Sequence, residues 1–315
     1  MPLTPNRVCV VMGDDRPVLS GDAARGSYPS LAYEINRRFC ARQGWDFRYE
    51  HYWLPERPWG KLSAYSSAAR QHRGASWVKI LAITRGLDLG YERVIWIDSD
   101  CIFYRDDADW SDFLGSFDDP QLQFAGWLDR PFHDDQPCCG FFALRNSDQV
   151  RDMLSGIWNT PSKTCTSHPF EQDEFARLLR SKPPGWHRLM DEPMFRLEDP
   201  RQRLLHLANF SHKLRVPEFT RWFEERGLQP HPQGIRAHVH SDLDVDSADH
   251  RMSGRQPGPL ERCRRELWGL REAGRARWMR VRGKLLSSRL GPTIRRVAER
   301  SRTALGSAAG NGTKP

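Results

Sequence analysis

The stretch WVKILAITRGLDLGYERVIWIDSDCIFY, residues 77–104, constrains the fold more than any other part of the chain. Trp77, Ile80, Ile83 and Leu87 fall on one face at helical spacing, with Ser76 placed to cap the helix and Gly90 placed to end it. Val94-Ile95-Trp96-Ile97 then reads as a short apolar strand. Asp98-Ser99-Asp100 follows at once, so the strand delivers two carboxylates to nearly the same point. Oxygen donors so placed suit a divalent cation such as Mn²⁺ or Mg²⁺ that keeps positions open for phosphate oxygens.

The same alternation extends on both sides. Residues 7–12, RVCVVM, read as a buried strand that ends at Gly13, Asp14 and Asp15, the form of a loop delivered to a ligand edge. Leu31, Ile35 and Phe39 mark a helix stopped by Gly44, and Trp45, Phe47 and Tyr49 alternate as a strand. Residues 50–75 are aromatic and irregular, a surface excursion. Residues 123–127 and 140–144 predict two further strands, and Asn146 with Gln149 forms a candidate capping box. Val150, Met153, Leu154, Ile157 and Trp158 then give the strongest amphipathic pattern in the chain. A helix over 170–179 would bury Phe175, Leu178 and Leu179 and carry Glu171, Gln172 and Asp173 in its first turn. After Pro183 the pattern weakens, with a strand-like run at Leu204-Leu205-His206-Leu207 and no persistent period over 228–256. Strands alternating with helices predict a layered α/β domain.

Charge divides the chain in two. Residues 251–315 hold 17 Lys and Arg against 4 Glu, a net of +13, which leaves 31 basic and 36 acidic residues in 1–250. The net +8 of the whole chain is therefore a property of the tail, and it does not mark the body as a nucleic-acid binder. The expected organisation is a domain over 1–250 followed by a basic amphipathic, partly disordered tail over 251–315, with Trp268 and Trp278 among its Arg residues. Such a tail suits a helical appendage packed on the body or an anionic membrane surface better than nucleic acid. Seven Cys without regular spacing make no disulfide framework, and Cys9, Cys40 and Cys101 lie among apolar residues as small hydrophobes. No run of 18 apolar residues and no leader pattern is visible, so the expected address is the cytoplasm, peripheral at the inner face of a membrane.

The segment 77–104 resembles the region around the metal-binding motif of GT-A fold nucleotide-sugar glycosyltransferases. The resemblance is to the galactosyl and mannosyl transferase family typified by fungal Golgi enzymes and plant xyloglucan xylosyltransferases. Its Trp-x-Lys helix start and Trp-x-Asp-x-Asp strand end are matched by Trp77 and Lys79, then Trp96, Asp98 and Asp100. NRRFCARQGW (36–45) resembles an upstream helix of the family, and CCGFFALRNS (138–147) resembles its Asn-x-Gly-x-Phe strand. Gly140 and Phe142 are retained there, while Cys138 stands where the pattern has Asn. Glu171-Gln172-Asp173 resembles an acidic helix start that faces sugar and acceptor.

The resemblance implies a GT-A (Rossmann-like) fold and retaining, metal-dependent transfer of a hexose or pentose. The donor would be a UDP- or GDP-type sugar, and the acceptor a hydroxyl on a glycan, a lipid-linked intermediate or another molecule. It implies a late His as third metal ligand, for which His206 is the leading candidate ahead of His212, His238 and His240, with Lys213 near the diphosphate. Lys79, Ser99 and Gly140 join Asp98, Asp100 and Lys213 as candidate donor-binding residues, and Asp173, Gln172 and Asp129 as candidate catalytic ones. Two other classes fit parts of the sequence: a noncatalytic adaptor working through aromatic surfaces and the tail, and a phosphohydrolase with an Asp nucleophile. The hydrolase would place its Asp-x-Asp near the start of the domain, whereas here nearly the first hundred residues precede it.

Overall fold

Alternate residues of the first strand serve two different cores. In β1 (Val8–Asp14), Val8, Val10 and Met12 pack with one cluster of buried apolar side chains and Cys9 and Val11 with another, so both faces of the sheet are covered. The computed structural model describes residues 8–16, 18–19, 22–52, 64–130, 132–163, 171–192, 194, 202–208, 210–228, 237–240, 249 and 252. The chain divides into one unit of residues 1–55 and 62–257 and another of residues 56–61 and 258–315, and every described residue belongs to the first. The tail expected over 251–315 lies outside the described residues, Met252 excepted.

After β1 come the short α1 (Asp22–Arg25), α2 (Tyr28–Gln43) and β2 (Asp46–Tyr52). Gly44 ends α2 in the left-handed region at φ 69°, as its place in the sequence predicts. The irregular excursion contains a hairpin of β3 (Ala64–Ser66) and β4 (Gln71–Arg73). Then follow α3 (Val78–Asp88), β5 (Arg93–Ile97), β6 (Cys101–Phe103), α4 (Ser111–Gly115), β7 (Phe124–Leu128) and β8 (Pro137–Arg145). The chain continues through α5 (Asp148–Asn159), α6 (Gln172–Arg180), β9 (His187–Met190), β10 (Leu204–His206), α7 (His212–Glu225) and β11 (Ala237–His240).

Seven strands form the main sheet in the order β11-β2-β1-β5-β8-β7-β9. Only β8 runs against its neighbours; all other adjacent pairs are parallel. One face is covered by α2, α7 and an aromatic group that includes Phe39, Phe103, Trp110, Trp127 and Phe141, the other by α3, α5 and α6. A second, two-stranded sheet pairs β6 with β10 antiparallel and sets His206 opposite Cys101. That pairing brings the strand-like run at 204–207 to the end of the Asp-Ser-Asp turn.

Two capping expectations are corrected. Ser76 does not cap α3; it sits inside a 3-10 turn, Ala75–Trp77, with its hydroxyl buried. α5 is capped by Ser147, whose hydroxyl accepts from the Val150 amide, while Asn146 reaches back to the carbonyls of Leu87 and Tyr91 and Gln149 accepts from the Trp186 indole. The five apolar residues predicted for α5 are all buried.

Candidate functional site

The site grows from the ends of two neighbouring parallel strands. β5 ends at Ile97, and the Asp98 amide carries its ladder one bond further by donating to the Gly140 carbonyl of β8, 2.8 Å away. The Asp100 carbonyl accepts from the Leu207 amide at 2.9 Å, so the Asp98-Ser99-Asp100 turn is tied to both sheets. β10 then carries His206 to the same place, with Nε2 3.3 Å from Asp100 Oδ1. Asp98, Asp100 and His206 thus offer two oxygens and one nitrogen, all within 4.8 Å of one another. Gly140 makes this possible, since a Cβ there would land on the imidazole, 2.6 Å from Nε2 and 2.7 Å from Nδ1.

Cations surround the carboxylates. Lys79, buried in the first turn of α3, lies 3.1 Å from Asp98 Oδ1 and 2.6 Å from Glu171 Oε1, and it donates to the Cys139 carbonyl at 2.7 Å. The Trp96 indole donates to the same Asp98 oxygen at 2.6 Å, leaving Oδ2 without a partner among the described residues. Arg215 of α7 reaches Asp100 Oδ2 at 3.0 Å, and its guanidinium also bonds the Leu207 carbonyl and the Tyr28 hydroxyl. Burial resists ionisation of Asp100, but His206, Arg215 and Arg16 together hold its carboxyl down at about 2.

The end of β1 completes the wall. Arg16 binds Asp14 through its Nε at 2.7 Å and reaches the Ser99 hydroxyl at 3.2 Å and the Tyr28 hydroxyl, while Ser99 donates to Asp14. Burial and the neighbouring Asp14 push the Asp15 carboxyl up to about 7. Gly13, Asp14, Asp15, Arg16, Tyr28, Ser76, Lys79, Trp96, Asp98, Ser99, Asp100 and Arg215 line a cleft of about 190 Å³.

The predicted residues are not equally placed. Asp98, Ser99, Asp100, His206, Lys79 and Gly140 come together. Asp129 and Gln172 bond each other at 2.7 Å and join the cluster through Cys138, which touches His206. Asp173 lies half-buried in the first turn of α6 and makes no hydrogen bond or ion pair among the described residues. Lys213 is exposed in the first turn of α7, and Arg215, two residues on, is the cation that meets Asp100. For His212, His238 and His240 only the backbone is described.

Sequence reasoning missed Arg16, Tyr28 and Arg215. Asp14, the last residue of β1, carried a signal at the expected ligand edge, but Arg215 had none, because its helix was not foreseen.

No protein-family model matches the chain, and no curated protein sequence does. Among solved structures, a glycosyltransferase involved in the glycosylation of the major capsid of PBCV-1 superposes with a TM-score of 0.50 at 14% identity, covering 68% of this chain and 98% of that one. Mouse xyloside xylosyltransferase 1 gives 0.39 at 9% identity over 64% of this chain and 98% of that one. A Drosophila β-1,4-galactosyltransferase 7 mutant in complex with manganese, UDP-Gal and xylobiose gives 0.36 at 13% identity, over 68% and 79%. The fold of this chain is the α/β fold of the GT-A nucleotide-diphospho-sugar transferases.

Proposed function

We propose that the protein is a metal-dependent glycosyltransferase that moves a hexose or pentose from a UDP- or GDP-type sugar donor to an acceptor hydroxyl with retention of configuration. One observation carries this reading: Asp98, Asp100 and His206 converge at the edge of the parallel strands, beside a cation-lined cleft, in a GT-A fold. Two carboxylate oxygens and an imidazole nitrogen form a donor set that suits Mn²⁺ or Mg²⁺, and Asp98 Oδ2 stands ready for it. A cation held there would supply electrostatic neutralisation of the leaving diphosphate.

The chain's own residues do the rest. Arg215 and Arg16 present fixed positive charge along the cleft where phosphate oxygens would lie, and positioned charge of this kind needs little reorganisation during reaction. Lys79 holds Asp98 in place from behind, and Ser99 locks the turn against Asp14. Gly140 serves by its missing side chain, and exposed Lys213 is a further candidate for the diphosphate. Asp129 and Gln172, bonded to each other, are assigned to the sugar hydroxyls, and Asp173 to the electron-poor sugar carbon. The acceptor is a glycan, a lipid-linked intermediate or another hydroxyl compound, met in the cytoplasm at a membrane surface to which the basic tail is drawn.

The test is nucleotide binding by calorimetry together with a panel of sugar donors read by mass change. UDP or GDP should bind at least tenfold more tightly with Mn²⁺ than with EDTA, and D98A and D100A should lose that gain while remaining folded. Equal affinity with and without Mn²⁺ would refute metal dependence, and no product with any donor would refute transfer.

A further inference from the structure

An imidazole can present either ring nitrogen, and what binds the far nitrogen decides which one faces a site. In metal centres the ligating His usually donates its other N–H to a carboxylate, a carbonyl or water, and losing that partner weakens the metal about 10- to 100-fold. The far nitrogen of His206 meets something different. Nδ1 lies 3.3 Å from the sulfur of Cys138, a residue of β8 that is 1% exposed. The Cys138 side chain also faces the Asp129 carboxylate and favours its charged form, and that carboxylate accepts from Gln172 Nε2 at 2.7 Å. On the other side of the ring, Nε2 lies 3.3 Å from Asp100, and Asp100 is 3.0 Å from Arg215. A continuous line of contacts therefore runs Gln172, Asp129, Cys138, His206, Asp100, Arg215.

A thiol can donate to one neighbour and accept from another. With its S–H turned to Asp129, the sulfur offers its lone pairs to the Nδ1 proton that a metal-bound Nε2 requires. Nε2 is left as the nitrogen turned toward the carboxylates. Cys139, next along the strand, packs with the opposite core and has no share in this line; only its backbone carbonyl is used, by Lys79.

We infer that Cys138 is a positioning residue: its thiol, in contact with His206 Nδ1 and facing Asp129, holds the imidazole so that Nε2 faces Asp98 and Asp100. The inference rests on the metal-dependent reading of the site given above. It also gives a physical role to Cys at a position where the resembled pattern has Asn. A small polarisable group that both donates and accepts joins the residues assigned to the sugar to those assigned to the metal.

The test is Mn²⁺ titration of the wild type, C138S, C138A, C138V, C139A and D98A, with unbound Mn²⁺ read by electron paramagnetic resonance and urea unfolding run alongside. C138A and C138V lack the thiol that touches Nδ1 and should bind Mn²⁺ about tenfold or more weakly. C138S can donate and accept in the same directions and should stay within about threefold of the wild type, and C139A should match the wild type. Valine keeps the volume of the site, so a poorly folded C138A would leave C138V to decide. Wild-type affinity in C138V would overturn the role of Cys138 while leaving the metal site standing, and so would a loss in C138S as large as in C138V. A wild type that binds no more Mn²⁺ than D98A would remove the metal reading and this inference together.

Discussion

At the scale of single residues the site is a set of opposite charges in contact. Asp15 is a residue whose charge state is open to pH. Its carboxyl is raised from 3.8 to about 7 by burial and by Asp14, with Arg16 acting against them. The folded chain therefore holds a proton at Asp15 that the unfolded chain has lost, between about pH 4 and pH 7. Stability from this group is complete below the unfolded value and falls as pH rises through the folded one. Asp15→Asn removes the dependence, so its melting temperature should exceed that of the wild type at pH 7.5 and approach it at pH 4.5, as read by paired thermal melts. The residues legible in the sequence were those tied to a strand end or a motif, namely Asp98, Ser99, Asp100 and His206. Arg16, Tyr28 and the thiol contact of Cys138 were not, because their roles depend on distances between segments far apart in the chain.

At the scale of elements, Lys79 joins three pieces of structure. It fixes the start of α3 to the end of β5 through Asp98, to the approach of α6 through Glu171, and to β8 through the Cys139 carbonyl. Lys79 and Glu171 are 2% and 3% exposed, so removing Lys79 leaves the Glu171 charge buried without its lysine. Lys79→Met should cost on the order of 3 kcal/mol in urea unfolding, and a second change, Glu171→Leu, should restore part of it. Additive losses would show that the pair is not coupled.

The elements that the sequence showed best were those whose period matched their burial. β5, α3 and α5 each present an uninterrupted apolar pattern, and each is packed as that pattern requires. α7 was hidden by Pro217 in its second turn, which reads as a helix breaker, although Val216, Phe219 and Phe223 beneath it keep helical spacing and pack with the core. β9 and β11 have four residues each, too few for alternation to stand out, and they are placed by pairing with β7 and β2.

At the scale of the whole molecule, the body ends in a small clasp on α5. The Asp249 carboxylate, fully buried, accepts from the Ser67 amide and from the Trp158 indole at 2.7 Å, and the Met252 carbonyl accepts from Ser155 and Asn159. A chain ending at Pro257 keeps the clasp, whereas one ending at residue 247 leaves two buried donors unsatisfied, each worth about 1 to 3 kcal/mol. The longer form should melt within a few degrees of the full chain and the shorter one well below it. On the proposed membrane role, the longer form should also lose most of the full chain's co-sedimentation with anionic vesicles at low salt. Salt that shortens the screening length from about 10 Å to 3 Å should remove the Coulombic part of the full chain's binding. Unchanged sedimentation on truncation would reject that role.

The pairing of β6 with β10 has one more consequence. Asp98 and Asp100 leave the sheet before half the chain has been made, and His206 reaches them only when a much later segment docks beside Cys101. In an unfolded chain His206 is a stranger to the two carboxylates. Anything that prefers all three together over any one alone must therefore favour the closed chain over the open one, by an amount that grows with the logarithm of its concentration. The cluster is thus a latch as well as a candidate reaction centre, closed by the same occupant that the chemistry would require.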